Sequence, residues 1–266
     1  MPNKRSIIFF DIDGTLLGRN KRLVPSAKHA IKALQEEGHL VALASGRSPF
    51  MLEALRQELG IQTYVSFNGQ YVVHEGEVIF SNPFRRADME QLSEYARQYR
   101  TPLVYLDAAT MAASSEQHPY VQTCFSALNY DSPPYDPVFY RERDIYQMML
   151  FDKQKEDDGY KNKFPQLHFV RWHAYSADVL PGGGSKAQGI SQLLQKLGAA
   201  PEEAYAFGDQ LNDLEMLQYI GQSVAMGNAP DEVKQIAKYV TKDVDDDGIA
   251  YGLELVGLLS RKRLGA

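Results

Sequence analysis

The stretch Ser6-Ile7-Ile8-Phe9-Phe10-Asp11-Ile12-Asp13-Gly14-Thr15 sets two aspartates directly after an uninterrupted apolar run. Such a run is typical of a parallel strand that is buried on both faces, and Gly14 allows the backbone to turn tightly after it. In open α/β sheets, ligands bind just beyond the carboxyl ends of the strands. Asp11 and Asp13 can therefore face one polar site, although an acidic turn at a strand end is also common without a catalytic role.

Three further polar segments follow, each at a predicted strand end or helix start. The apolar run Leu40–Ala44 ends in Ser45-Gly46-Arg47, which offers a hydroxyl, a flexible backbone and a cation to a phosphate. Lys186 falls in the first turn of a predicted helix, where the helix dipole disfavours a cation unless an anion lies nearby. The run Ala204–Phe207 ends in Gly208-Asp209-Gln210-Leu211-Asn212-Asp213, which adds more carboxylates.

Taken in order along the chain, these four segments resemble the four motifs of the haloacid dehalogenase-like superfamily. The segment between the second and third motifs resembles the large α/β cap of the Cof-type sugar-phosphatase branch. A P-loop is the other common phosphate-binding device, but the sequence contains no GxxxxGK[ST] match. The resemblance implies a Mg²⁺-dependent phosphatase that acts on small phosphorylated metabolites, with sugar phosphates as the expected substrates.

The resemblance also assigns chemistry to the two aspartates of the first motif. It implies that Asp11 attacks phosphorus and forms an aspartyl-phosphate intermediate, which is covalent catalysis by a carboxylate. Asp13 is then expected to protonate the leaving alkoxide and later to take a proton from the attacking water. That role requires a raised pKa for Asp13, which crowding by the neighbouring carboxylates would supply.

A divalent metal is expected because a phosphate ester repels an anionic nucleophile. Mg²⁺ prefers a few carboxylates together with waters and substrate oxygens, and the sequence offers no competing set of Cys or His ligands. By resemblance, the ligands are Asp11, the backbone carbonyl of Asp13, and Asp209. Asp213 is expected to support these ligands without binding the metal directly.

The residues expected to bind the phosphoryl group are Ser45, Gly46, Arg47, Lys186 and Asn212. Some of these roles have alternatives. Arg47 binds the substrate phosphate or braces Asp213 and its neighbours, and Asn212 reaches the phosphoryl group or waters on the metal. Asn68, in the stretch Phe67-Asn68-Gly69, lies near the substrate at a strand end or is an ordinary turn asparagine.

The order of predicted elements favours an α/β protein with two domains. Strands predicted at 6–10, 40–44 and 63–67 alternate with helices predicted at 26–37 and 49–59. This alternation is typical of a doubly wound parallel sheet, the Rossmann-like architecture.

The segment from 82 to 180 differs in character, with clustered prolines and dense aromatic residues. We therefore expect residues 1–81 and 181–266 to form a catalytic core, and residues 82–180 to form an inserted α/β cap that sets substrate specificity.

The composition argues against a nucleic-acid or membrane protein. The chain has 266 residues and a formal net charge of −6, which gives no electrostatic case for binding nucleic acid or an anionic membrane. No apolar stretch approaches the length of a membrane span. The single cysteine, Cys124, excludes an internal disulfide and indicates a reducing compartment, so we expect a cytoplasmic location. The oligomeric state stays open.

Two alternative functions also stay open. Some caps of this type occur in phosphomutases, which return the phosphoryl group to a sugar, and a chain without activity could sense a phosphorylated metabolite. The presence of both Asp11 and Asp13 argues against a sensor, because a binding protein needs no acid or base.

The sequence also contains a calcium-loop pattern. Asp243–Gly248 with Glu254 matches that pattern at every named position. The preceding Tyr239-Val240-Thr241 predicts a strand where a calcium loop requires a helix, so a surface turn followed by a helix start is the better interpretation.

Overall fold

The computed structural model describes residues 5–153, 157–260 and 263, and only the backbone of residues 157 and 158. The described chain divides into two compact units. The first comprises Met1–Arg47, Leu52–Phe80 and Ser185–Ala266, and the second comprises Ser48–Met51 and Ser81–Gly184.

Strands and helices alternate along most of the described chain. The strands are β1 (Ile7–Phe10), β2 (Leu40–Ala44), β3 (Tyr64–Ser66), β4 (Tyr71–His74), β5 (Glu77–Ser81), β6 (Leu103–Leu106), β7 (Met111–Ala113), β8 (Gln147–Leu150), β9 (Leu167–His173), β10 (Ser176–Pro181), β11 (Ala204–Gly208), β12 (Gln222–Ala225) and β13 (Tyr239–Val240). The helices are α1 (Pro25–Glu36), α2 (Pro49–Leu59), α3 (Arg86–Gln98), α4 (Pro119–Ala127), α5 (Asp157–Lys163), α6 (Lys186–Leu197), α7 (Leu214–Tyr219), α8 (Asp231–Ile236) and α9 (Gly248–Leu255). Within the described ranges, none of these helices has the length and apolar character needed to cross a membrane.

The sheet of the first unit has the strand order β13-β12-β11-β1-β2-β3-β4-β5. Every neighbouring pair from β13 to β3 is parallel, and β4 runs antiparallel to β3. The predicted α/β fold with a doubly wound, mainly parallel sheet is therefore confirmed.

β1 lies inside this sheet and is buried on both faces, as its unbroken apolar sequence predicts. Ile8 and Phe10 pack into the apolar cluster on one face, and Ile7 and Phe9 pack into the cluster on the other. β2 flanks β1 on one side and β11 flanks it on the other, so the strand order reverses beside β1. Ligands of doubly wound proteins bind at such a switch point, beyond the carboxyl ends of the strands.

A proline marks the start of one helix, and a glycine follows the end of another. α1 begins at Pro25, one residue earlier than predicted, because proline is favoured in the first helical turn. The last helix, α9, ends at Leu255. Gly257 follows with φ of 74°, a left-handed conformation that commonly ends a helix.

The sheet of the second unit has the order β7-β6-β8-β10-β9, and all of its pairs are antiparallel. One face of this sheet is covered by apolar side chains of α3 and by the chain that follows α5. The strand residues that pack into this core include Leu103, Tyr105, Met148, Leu150 and Val179.

Candidate active site

Asp11 lies immediately after β1, beside the point where the strand order reverses. Its backbone N–H donates to the carbonyl of Phe207 on β11 at 2.9 Å, which fixes the first motif against the fourth. The Asp11 side chain is buried, with a residue exposure of 6%. The end of β1 therefore delivers a carboxylate into the interior of the first unit.

Gly14 lies so close to the Asp209 carboxylate that a residue with a side chain would not fit in its place. Its φ is 87°, and a Cβ atom built on it would lie 2.2 Å from Oδ2 of Asp209. A side chain at position 14 would thus displace the Asp209 carboxylate. The glycine of the first motif is needed to bring the two loops together.

Lys186 joins two of the motif carboxylates. The residue opens α6, behind Ser185, whose side chain caps the helix by accepting from the N–H of Gln188. Its Nζ donates to Oδ1 of Asp11 at 2.6 Å and to Oδ1 of Asp213 at 2.6 Å. Burial alone would lower the pKa of Lys186, but the two carboxylates outweigh burial and raise that pKa. The anionic partner that the sequence indicated for this lysine is a pair of aspartates.

Asp213 organises the loop that follows β11. Its Oδ1 accepts from Lys186, and its Oδ2 accepts from the backbone N–H groups of Asp209 at 2.9 Å and Gln210 at 3.0 Å. Both oxygens are thus engaged within the protein, and the residue is fully buried.

Asp209 receives hydrogen bonds from three side chains. Thr15 Oγ1 donates to its Oδ1 at 2.9 Å, while Gln210 Nε2 and Asn228 Nδ2 donate to its Oδ2 at 3.0 Å and 3.3 Å. Burial, followed by the charge of Asp213, raises the pKa of Asp209 to about 6.

The three carboxylates lie close enough to hold a metal ion. One oxygen from each of Asp11, Asp209 and Asp213 lies within 4.8 Å of the others, and all three residues are buried. Burial raises the pKa of Asp11 well above its usual range; Lys186 opposes this rise, and Asp213 and Asp209 add to it. When ionised, three carboxylates beside one ammonium leave two negative charges uncompensated. An all-oxygen donor set with this charge fits a hard divalent cation such as Mg²⁺.

Asp13 is held by cations and is not a member of this carboxylate group. Arg47 makes a bidentate pair with it, from Nε to Oδ2 at 2.8 Å and from Nη2 to Oδ1 at 2.7 Å, and Lys21 Nζ donates to Oδ1 at 3.1 Å. Burial acts to raise the pKa of Asp13, but Arg47 and then Lys21 outweigh it and lower that pKa. The expectation of a raised pKa is therefore wrong for this conformation, because the neighbours of Asp13 are cations.

The second motif is tied to the fourth through Asn68. Ser45 follows β2, is buried, and accepts the N–H of Arg47 on its Oγ at 3.2 Å. The Asn68 N–H donates to the Ser45 carbonyl at 3.0 Å, and Asn212 Nδ2 donates to Asn68 Oδ1 at 3.1 Å. Gly46 lies against this asparagine, since a Cβ there would be 3.0 Å from Asn68 Nδ2.

Asn68 has an uncommon backbone conformation. Phe67 and Asn68 have φ of 51° and 50°, so two successive non-glycine residues occupy the left-handed region. Such backbone strain is retained where surrounding contacts enforce it, often at functional sites. Its burial and its bond to Asn212 distinguish this residue from an ordinary exposed turn asparagine.

Four residues at the site received no role from the sequence: Thr15, Lys21, Gln210 and Asn228. Thr15 lies within the first motif and Gln210 within the fourth, so the sequence already placed both residues near the predicted site. Asn228 Nδ2 also donates to the Gly14 carbonyl at 2.9 Å, a contact across 214 positions of sequence. No sequence pattern marked Lys21 as a site residue. Its side chain contacts Asp13 because the chain turns back at this point, where the Lys21 N–H donates to the Gly18 carbonyl.

The calcium-loop pattern forms a turn at the start of α9. β13 precedes it, Asp243 accepts the N–H of Asp245, and Arg19 pairs with both of these aspartates. The absence of an entering helix in the described segment 237–243 agrees with the interpretation as a turn.

Comparison with known proteins points to one family. A family model described as haloacid dehalogenase-like hydrolase matches residues 8–253. The Bacillus subtilis protein YkrA, whose name assigns it provisionally as a phosphatase, is 45% identical over 95% of this chain and 98% of its own length.

Solved structures agree with that match. A hypothetical protein from Geobacillus kaustophilus HTA426 superposes with a TM-score of 0.92 and 49% identity, covering 96% of this chain and 100% of its own. The structure of the subclass IIB sugar phosphatase BT4131 of the same superfamily superposes with a TM-score of 0.86 and 28% identity, covering 96% of this chain and 100% of its own.

Proposed function

We propose, from the premise that this chain belongs to the haloacid dehalogenase-like hydrolases, that it is a Mg²⁺-dependent phosphomonoesterase for small phosphorylated metabolites. The family predicted from the four motifs is confirmed by the family match over residues 8–253. The observation that carries the proposal is the buried Asp11 carboxylate, held by Lys186 and crowded by Asp209 and Asp213.

Asp11 is the proposed nucleophile. Its Oδ1 is engaged by Lys186 at 2.6 Å, which orients the carboxylate at the end of β1 and leaves Oδ2 to attack phosphorus. The Lys186 ammonium then lies beside the transferring phosphoryl group, where it stabilises the negative charge of the transition state. Ser45, Gly46 and Asn212 are the proposed donors to the phosphoryl oxygens.

Asp11 and Asp209 are the proposed carboxylate ligands of Mg²⁺, joined by the backbone carbonyl of Asp13. Asp213 is proposed to support them, because both of its oxygens already accept hydrogen bonds from the protein. When bound, Mg²⁺ neutralises charge on the nucleophile and on the phosphate, which would otherwise repel each other.

Asp13 is the proposed general acid and base. In this conformation Arg47 engages both of its oxygens, so the carboxyl can act on the leaving oxygen only after it has separated from Arg47. An incoming phosphate offers Arg47 another anion, and this exchange would release Asp13. We thus assign Arg47 to the phosphate when substrate is bound.

The segment 82–180 is the proposed specificity cap, and the proposed substrates are sugar phosphates. The similarity to the sugar phosphatase BT4131 supports this substrate class. Cys124 is a buried free thiol, which supports action in a reducing compartment such as the cytoplasm.

Phosphate release tests this function directly. The protein, loaded with Mg²⁺, is incubated with an aryl phosphate and with a panel of sugar, polyol and nucleoside phosphates, and free phosphate is measured with and without excess chelator. We expect release that needs the metal, with the greatest kcat/KM for one of the sugar phosphates. Undiminished activity in chelator contradicts the metal assignment, and an isomerised sugar phosphate without free phosphate identifies a phosphomutase.

A further inference from the structure

The loop that follows β12 brings an asparagine to the carboxyl edge of the first unit's sheet. β12 lies beside β11 with Ala225 opposite Gly208, so the loops after the two strands begin side by side. The Met226 N–H donates to the Gly208 carbonyl at 2.9 Å, which ties these loops together. Asn228 lies two residues further on, within reach of Asp209, the first residue after β11.

The Asn228 side-chain amide connects three separate segments of the chain. Its Nδ2 donates to the Gly14 carbonyl at 2.9 Å and to Oδ2 of Asp209 at 3.3 Å, and its Oδ1 accepts the N–H of Val244 at 2.9 Å. An amide nitrogen carries two hydrogens, so it can serve both acceptors. Because Val244 offers a donor and Gly14 offers an acceptor, only one orientation of the amide satisfies these contacts. The nitrogen of Asn228 therefore faces the two motif residues.

These contacts restrain two of the groups that we propose as metal ligands. Asp209 is a proposed carboxylate ligand, and Asn228 holds one of its oxygens. The Asp13 carbonyl is another proposed ligand, and it shares a peptide group with the Gly14 N–H. That N–H donates to the Leu17 carbonyl at 3.0 Å, while Asn228 holds the Gly14 carbonyl on the other side. Because the peptide group is planar, fixing Gly14 from both sides also fixes the direction of the Asp13 carbonyl.

The turn at Asp243–Gly248, where the sequence shows the calcium-loop pattern, holds the other end of the Asn228 amide. The Val244 residue is 3% exposed and packs into the apolar core of the first unit, so the N–H that Asn228 accepts has a fixed place. Inside the turn, the Asp243 side chain accepts the N–H of Asp245 at 3.1 Å. The turn thus supports Asn228 from the side opposite the two motif residues.

The same turn also contacts the chain shortly after the first motif. Arg19 pairs with both Asp243 and Asp245. Gly18 lies against the turn as well, since a Cβ atom built on it would be 2.2 Å from Oδ1 of Asp245. The turn is therefore joined to both loops that carry the proposed metal ligands, directly to the loop after β1 and through Asn228 to the loop after β11.

We propose that Asn228 is a positioning residue for the Mg²⁺ site and that the Asp243–Gly248 turn acts through it. This inference rests on the proposed function and deepens it, because it names the residue that holds two of the proposed ligands in place. Groups that orient metal ligands without binding the metal contribute roughly 10- to 100-fold to metal affinity. Loss of the Asn228 amide should therefore weaken metal binding although every proposed ligand is still present.

Asn228→Ala tests the amide, and Ser223→Ala is the matched control. Ser223 lies on β12 and is buried, and its Oγ accepts the N–H of Lys238 at 3.1 Å, so each variant removes an acceptor from a backbone N–H. Only Asn228→Ala also removes the donor to the two motif residues.

The measured quantity is the dissociation constant of Mn²⁺, which takes the same kind of oxygen ligands as Mg²⁺. It is measured in the full-length protein without substrate, with the free ion counted by electron paramagnetic resonance. Asn228→Ala should raise this constant about 10-fold, and Ser223→Ala should leave it unchanged. Thermal midpoints, recorded separately, give the loss of stability in each variant.

Val244→Pro tests the turn, and Val244→Ala is its control. Proline removes the N–H that Asn228 accepts, whereas alanine keeps that N–H, and both replace the buried valine side chain. The Asp243 backbone, with φ of −57° and ψ of 150°, already has the extended conformation that is favoured before proline. Val244→Pro should raise the Mn²⁺ dissociation constant about 5-fold, the size of one hydrogen bond, and Val244→Ala should not.

Equal Mn²⁺ dissociation constants in Asn228→Ala and Ser223→Ala overturn the inference. Equal constants in the two Val244 variants reject the role given to the turn, and this pair decides alone if Asn228→Ala does not fold. If the wild-type protein releases phosphate from no compound, the proposed function fails, while the Mn²⁺ constants still judge Asn228. A wild-type protein that binds no Mn²⁺ overturns both the metal assignment and this inference.

Discussion

At the residue scale, Lys186 sets the charge balance of the site. Its ammonium has 0% side-chain exposure and contacts Asp11 and Asp213 at 2.6 Å each. Removing one partner of a buried ion pair is costly, because the other charge stays buried and uncompensated. The lysine thus opposes the rise in the pKa of Asp11 that burial causes, and it fixes the direction of the proposed nucleophile.

Substitutions of Asp11 and Asp13 should fail in different ways. Asp11→Asn removes the attacking oxygen anion, so no phosphoenzyme forms and activity on any leaving group is nearly lost. Asp13→Asn keeps the nucleophile but removes acid and base catalysis, which is worth ~10²- to 10⁴-fold. With nitrophenyl phosphate, whose leaving group needs little protonation, the Asp13 variant should show a burst of nitrophenol with phosphate retained on Asp11.

Rapid quench followed by intact-mass measurement checks this expectation. A mass increase of one phosphoryl group is expected in Asp13→Asn and not in Asp11→Asn. Normal turnover by Asp11→Asn, with phosphate attached to another residue, would show that Asp11 is not the nucleophile.

Gly14→Ala should damage metal binding more than it damages the fold. The new Cβ would lie 2.2 Å from Asp209 Oδ2, so this proposed ligand has to move. Gly38→Ala is the matched control, because Gly38 has a similar φ of 82° but nothing within 4 Å of the point that its new methyl group would occupy. Both variants incur the left-handed backbone penalty of roughly 1–2 kcal/mol.

Denaturant unfolding and Mg²⁺ titration of activity separate the two effects. Both variants should lose similar stability, while only Gly14→Ala should need a higher Mg²⁺ concentration for half-maximal rate. An equal metal requirement in the two variants would contradict the role given to the Gly14 contact.

At the element scale, the sequence predicts strands and motif positions well because both depend on local pattern. β2 and β11 coincide with the apolar runs that were predicted, and the second and fourth motifs stand at the ends of these two strands. Contacts between distant segments were not predictable in the same way. The partners of Asp13 come from positions 8 and 34 residues away, and their positive charge reversed the expected direction of its pKa shift.

The left-handed conformation of Phe67 and Asn68 is a second feature that the pattern could not predict. A non-glycine residue rarely adopts positive φ by its own preference. Here the loop after β3 is fixed by the Phe67 N–H donating to the Arg47 carbonyl and by the Asn68 N–H donating to that of Ser45. The sequence indicated that a turn was present but not which loop would hold it.

Asp178 on β10 should make stability depend on pH. Burial raises its pKa in the folded state to about 8, above that of an exposed aspartate, so between about pH 4 and 8 the folded chain holds a proton that the unfolded chain has lost. Because the folded state binds more protons in this window, the free energy of unfolding falls as pH rises through it.

The comparison with Asp178→Asn isolates this effect. The amide cannot titrate, so the free energy of unfolding of the variant should change less between pH 5 and 8 than that of the wild type, as measured by denaturant unfolding at each pH. Parallel curves for the two proteins would show that the Asp178 carboxyl titrates as an exposed one.

At the scale of the whole molecule, chemistry and selectivity are proposed to occupy separate parts of the chain. The four motifs all lie outside residues 82–180, and the hydrogen bonds that link Asp11, Lys186, Asp209 and Asp213 lie within the first unit. An insertion between two core segments can change its recognising residues without altering the residues that transfer the phosphoryl group.

Replacing residues 82–180 with a short flexible linker should therefore abolish selectivity among substrates while some phosphate hydrolysis remains. The truncated protein keeps the nucleophile, the buried lysine and the proposed metal ligands, so it should retain some turnover of a small aryl phosphate while its kcat/KM values for different sugar phosphates become similar. The same truncation carrying Asp11→Asn is the control, and loss of its residual turnover shows that the activity belongs to this site. Circular dichroism establishes whether the truncated chain folds. A folded truncated protein that still ranks sugar phosphates as the full chain does would place selectivity in the core, because residues 82–180 are absent from it.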